Sequence, residues 1–127
     1  MAVKNIADKV LKYYADKDYC IASGLVDANA DNADLKVGTV MGQLTANDRY
    51  TILDPGEVDG SGAAVAILLE DIEAPATGGH QEALFLVRGP ALVINDELVY
   101  PAGITAPQQT TAEGELEALL IHRQTGI

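Results

Sequence analysis

The sequence predicts a small α+β domain dominated by β-structure, with hairpins forming a partial barrel, an N-terminal arm carrying an amphipathic helix, and a C-terminal helix. Three observations point there. Short apolar runs between residues 36 and 100 are punctuated by Gly, Pro, Asn and Asp, as strands and their turns are. Helical spacing of apolar residues is confined to the two ends of the chain. A polar stretch, DANADNAD (27–34), has no apolar period and sets the first segment apart from the rest. At 127 residues the chain has the size of one domain, divided by this reading into an arm and linker (1–34) and a β-rich body (35–127).

Each element follows from its residues. Val3, Ile6, Val10, Leu11 and Tyr14 share one helical face, which predicts an amphipathic helix over 2–15, ended by Asp16, Asp18 and Gly24. Residues 36–44 and 49–53 predict a hairpin, turned at Asn47 and Asp48, residue types that tolerate left-handed backbone. Asp54-Pro55-Gly56 stops its second strand. The run 63–70 is apolar throughout, as a strand buried on both faces should be. After the loop APATGG (74–79), residues 83–88 predict another strand, broken by Gly89-Pro90. Residues 91–94 and 97–100, flanking Asn95-Asp96, predict a short hairpin. Thr110 and Glu113 have the spacing of a capping box for a final helix with Leu116, Leu119 and Leu120 on its buried face and Gly126 at its C-cap, although Gly114 costs such a helix roughly 1 kcal/mol relative to Ala.

Composition narrows the function classes. Charged residues make up 21% and hydrophobic ones 48%, so the chain is expected to be a soluble globular protein with a core of Val, Ile, Leu and Ala. No apolar run reaches the roughly 20 residues that span a bilayer, and the leading MAVKNIADKV is too polar for a secretory signal. Cys20 is the only cysteine, which excludes an internal disulfide and a CxxC metal site and leaves it as a small apolar side chain. The net charge is −11, yet the first 17 residues carry +2 and the remaining 110 carry −13. An acidic body is repelled by nucleic acid and by anionic membrane, so neither is expected as a partner, whereas the basic leading segment can dock on an acidic protein surface or form a solvated helix face.

Candidate chemistry is thin. Asp27, Asn29 and Asp31 open like a calcium loop, but Asn32 replaces its glycine and Gly38 its bidentate Glu, so no metal site is expected. Gly60-Ser61-Gly62 covers part of a phosphate loop, but Val65 takes the place of the third glycine and strand-like residues follow where a helix is required. His80 and His122 have no ligand or acidic partner at metal spacing, and neither Ser23 nor Ser61 lies in a nucleophile elbow. No catalytic residue and no cofactor is expected. A small-molecule-binding or enzymatic β-barrel using the Gly60-Ser61-Gly62 loop is the alternative, and a secretion- or tail-associated structural protein a third reading.

The order of motifs is more telling than any one of them. VGTVMGQLT (37–45), then RYTILDPGEVDGSGAAVAILLEDIEA (49–74), RGPALVINDELVYP (88–101) and the closing LEALLIHRQTGI (116–127) resemble, over residues 35–127, the bacteriophage head decoration (capsid-stabilising) family of the phage lambda decoration protein type. The resemblance implies a non-enzymatic structural protein of the virion, made in the host cytoplasm. It implies a homotrimer seated outside the mature expanded head at three-fold and quasi-three-fold positions, bound to the major capsid protein and stabilising the shell against internal DNA pressure. Members commonly touch the capsid protein through N-terminal segments, partly by adding a strand to it. Here the expected contacts to capsid or neighbouring subunit are Val3, Ile6, Val10 and Tyr14, with Cys20 and Ile21 in a short strand for such pairing.

Overall fold

The computed structural model describes residues 10–27, 34–73 and 80–124. Two β-layers and one long helix build the fold. Strands β2 (Ile21–Asp27), β3 (Val40–Gln43), β4 (Tyr50–Ile52), β5 (Ala66–Leu68) and β6 (His80–Leu86) close into a barrel in the order β2-β4-β3-β5-β6. A three-stranded sheet, β1-β7-β8, is formed by β1 (Leu11–Tyr14), β7 (Ala91–Ile94) and β8 (Ile121–Gln124). Helix α1 (Lys17–Cys20) is one turn, and α2 (Ala106–Ala118) supplies most of the helix. The fold is thus α+β and β-dominated, with the barrel fully closed.

Period-two alternation sorts the core into two clusters. Inside the barrel lie Val26, Met41, Ala66, Leu68, Ala83 and Phe85, all at most 2% exposed. Phe85 stacks on Tyr50 with ring centroids 4.2 Å apart, and Gly24 makes room for that pair, since a Cβ there would sit 2.7 Å from the Tyr50 ring. The residues that face the other way, Val40, Ile67 and Leu86, join Val10, Val93, Leu116 and Ile121 between the barrel and the second layer. The β3–β4 hairpin turns where the sequence predicts: Asp48 has φ 60, and the Asn47 carboxamide oxygen accepts the Arg49 N–H at 3.0 Å.

Four expectations are corrected. Within the predicted 2–15 helix, Leu11–Tyr14 is a strand paired with β7, its register shifting between Leu11 and Tyr13; Val3 and Ile6 lie outside the described residues. Val10, in the turn just before the strand, and Leu11 are both buried, a spacing that imitates a helical face. Gly24, expected to end that helix, lies inside β2. The 91–100 hairpin does not form, because β1 and β8 already occupy both edges of β7. Instead a 3₁₀ turn at Asn95–Glu97 sends Val99 to the barrel, where its carbonyl accepts the Val40 N–H at 2.9 Å. Finally, the capping box is Thr105 with Gln108, not Thr110 with Glu113, and Pro107 fits the first turn because no N–H is needed there. The helix ends at Ala118, Leu120 takes φ 65 and is 51% exposed, and the chain continues as β8; Gly126 lies outside the described residues.

Both described strands of the 1–34 segment pair with residues 80–94: β1 with β7, and β2 with β6 along seven positions. Gly114 is inside α2 with nothing within 4 Å of a Cβ built on it. Gly114→Ala is therefore expected to stabilise the chain by about 0.4–1 kcal/mol, read as a higher urea midpoint at unchanged slope.

Candidate interaction surfaces

The Gly60-Ser61-Gly62 segment is packed against its own hairpin. Ser61 is 2% exposed, and its hydroxyl and N–H both donate to the Asp59 carboxylate, at 2.5 and 3.0 Å. Those two bonds hold the Asp59 pKa below its ordinary value. Gly42 leaves space for the Ser61 backbone, and a Cβ on Gly60 would overlap the Gln43 carbonyl. The Ser61 N–H that a phosphate would need is already spent on Asp59, and a strand follows, not a helix. The nearby cleft between Leu53, Pro55, Gly62 and α2 holds about 170 Å³, below the range of small-molecule sites.

The remaining candidates disperse. His122 is exposed on β8, with Nδ1 2.9 Å from Glu117, while His80 begins β6 in the other sheet. Asp27 is paired with Arg49 at 3.2 Å, and Asn29 and Asp31 lie outside the described residues. Among the described residues no group of three or more His, Cys, Asp or Glu converges as a metal site. Burial, reinforced by Glu113, pushes the Tyr100 hydroxyl up to about 12, so it stays protonated at neutral pH.

The expected contact residues separate as sharply. Val10 and Cys20 are fully buried in the core between barrel and sheet, with no surface to offer a partner. Ile21 is half-buried and paired with Leu86. Tyr14 is exposed, on a strand next to a corner that periodicity does not reveal. Tyr13 and Tyr19 are each 56% exposed, and Tyr19 lies where α1 meets the β6–β7 corner. The Ala15 N–H donates to the Pro90 carbonyl at 3.0 Å, and Arg88 Nη1 donates to the Tyr19 carbonyl at 2.6 Å. The Arg88 guanidinium also lies over the Tyr19 ring, 4.8 Å from its centroid. The sequence signal for this corner is crowding: three of the five tyrosines fall within residues 13–19.

A second surface lies on the outer barrel wall. Second-layer packing covers Ile21 and Leu86 but not Leu25 and Leu84, which are 37% and 47% exposed. Here Ser23, Glu70, Glu82, Ala83 and Leu84 line an open trough of about 360 Å³. Glu70 is held at its rim by the Leu84 N–H, 2.8 Å from its carboxylate. No helix among the described residues is long and apolar enough to cross a membrane.

Against known proteins, the model of one family, described as Bacteriophage lambda head decoration protein D, matches residues 2–121. No curated protein matches the chain.

Proposed function

The chain belongs to the bacteriophage lambda head decoration protein D family, and from that membership we propose that it binds as a homotrimer to the outside of the mature, expanded head. Family membership makes it a structural protein of the phage capsid, associated with the virion. The finer reading has three parts. Trimers sit at the three-fold and quasi-three-fold positions, they grip the major capsid protein, and they stabilise the shell against the pressure of packaged DNA. The chain is made in the host cytoplasm and joins the head afterwards.

One observation carries this reading: the match to residues 2–121 takes in the barrel, β1, β7 and α2 and ends at the first residue of β8, so nearly all of the fold resembles the family. The physical chemistry is compatible. Three linked contact surfaces on one trimer multiply a weak single contact through effective concentration. A net charge of −11 keeps free subunits apart in solution and off nucleic acid. Of the arm set off at residues 1–34, we assign the capsid contact to residues 1–9, with Val3 and Ile6 as its apolar anchors, and leave Tyr14 to a contact with a neighbouring subunit. Val10, Cys20 and Ile21 serve the chain's own fold.

Incubated with expanded heads that lack decoration, the chain is expected to co-sediment with them and to raise the temperature at which they break open. A chain left in the supernatant overturns the reading. Deleting residues 2–9 leaves β1 intact and is expected to weaken binding at least tenfold, about 1.4 kcal/mol. Undiminished binding of the shortened chain would assign the contact to the folded body instead.

A further inference from the structure

Three-fold rings close through heterologous contacts, in which one patch of each subunit meets a different patch of the next. The described surface holds two patches of opposite character. The β1–α1 corner presents Tyr13, Tyr14, Tyr19, Lys12 and Arg88, all exposed, on a chain whose net charge is −11. Asp16 and Asp18 flank it, but the Asp16 carboxylate is turned back to accept the Asp18 N–H at 2.9 Å. The barrel wall presents the trough around the exposed Leu84, with Ser23, Glu70 and Glu82 in its lining.

We infer that the corner of one subunit docks into the barrel-wall trough of the next copy of the chain, and that this contact closes the trimer. The inference rests on the trimeric reading above and names the surfaces that form it. Chemistry matches on both sides. Tyrosine and arginine are the residues that most often anchor interface centres, because they bury large area with few rotamers to freeze and end in a polar tip. The trough offers the exposed Leu84 side chain to an aromatic ring. Its two carboxylates offer Arg88 and Lys12 an acidic partner, and the remaining 110 residues carry −13, so a second copy brings acidic surface with it. The same contact explains why Leu25 and Leu84 stay uncovered on a wall whose continuation, Ile21 and Leu86, is sealed by the chain's own second layer.

Charge exchange tests it on undecorated expanded heads, with occupancy read from sedimentation and trimer content from chemical cross-linking. Arg88→Glu and Glu82→Arg are each expected to lower occupancy and cross-linked trimer about tenfold, because like charges then face each other around the ring. Combined in one chain they restore the opposite pairing, and occupancy is expected to return to within about threefold of the starting protein. Lys12→Glu, which leaves the Arg88–Tyr19 contact alone, should weaken trimers in the same sense. Unchanged melting of the free variants shows that they are folded. Single variants that decorate like the starting protein would overturn the inference. So would a double variant no better than the weaker single one, since Arg88 would then be facing the capsid protein. If the starting protein itself binds heads without cross-linking into trimers, the trimeric reading fails first and separately.

Discussion

Phe85→Ala is expected to destabilise the chain by about 3–5 kcal/mol, a large part of the roughly 5–15 kcal/mol that holds an ordinary domain together. Phe85 is the chain's only phenylalanine, and there is no tryptophan, so no second large ring can slide in to refill the barrel. It is fully buried, stacked on Tyr50 and surrounded by Val26, Met41, Ala66, Leu68 and Ala83. Closed strand pairing around that cluster resists collapse, which puts the cost at the upper end of the range. The neighbouring Leu84→Ala is the control. Leu84 is 47% exposed on the outer wall, and its truncation in the free chain is expected to cost under about 0.5 kcal/mol. Urea unfolding of the two variants measures the contrast directly. Equal losses would mean that the side chains of β6 do not alternate between the barrel interior and solvent.

Gly60→Ala is the second large effect, expected at about 3 kcal/mol or more by the same measurement. Gly60 has φ 103, a conformation that costs other residues about 1–3 kcal/mol, and its Cβ would overlap the Gln43 carbonyl and approach the Thr45 N–H to 2.9 Å. Gly56, in the same loop, has φ 98 but nothing within 4 Å of a built Cβ. Gly56→Ala should therefore lose only the backbone part, about 1–2 kcal/mol. The difference between the two isolates the close approach of the 54–62 loop to β3. If Gly56→Ala costs as much as Gly60→Ala, the loop does not press on the hairpin.

These glycines show which parts of the structure are legible in the sequence. Gly60-Ser61-Gly62 is recognisable as punctuation, and Val65 with the strand-like run after it steers the reading away from phosphate. That Gly60 and Gly42 serve a backbone-to-backbone approach depends on what lies across from them, which local sequence does not encode. The β3–β4 hairpin is legible because Asn47-Asp48 suits a turn and both flanks are strand-like. The strand at Leu11–Tyr14 is not, since Val10, Leu11 and Tyr14 satisfy a helical face as well as an irregular strand, and only pairing with β7 decides between them. The end of α2 has the same cause: LEALLIH continues a helical pattern, and the free edge of β7 captures Ile121–Gln124. The contact residues were harder still. Apolar side chains chosen by periodicity are the ones a fold buries first, as Val10 is, and Cys20, chosen for a pairing strand, is buried too, while exposed Tyr19 finds Arg88 only when α1 meets the end of β6.

The barrel's strand order also governs how the chain can be born. Strand β1 finds its partner only in Ala91–Val93, and β2, apart from the pair of Val26 with Tyr50 on β4, finds its own in β6, so the first two described strands wait for their main ladders until most of the chain has followed. Loop-closure entropy must be met across that span before those two ladders reward it, which slows folding for a chain of this size. During that interval Ile21–Asp27 is an unpaired, apolar strand edge of the kind that chaperones shield and that aggregates recruit. High-level expression at low temperature, where nascent chains are fewer and slower to collide, is the condition this topology favours.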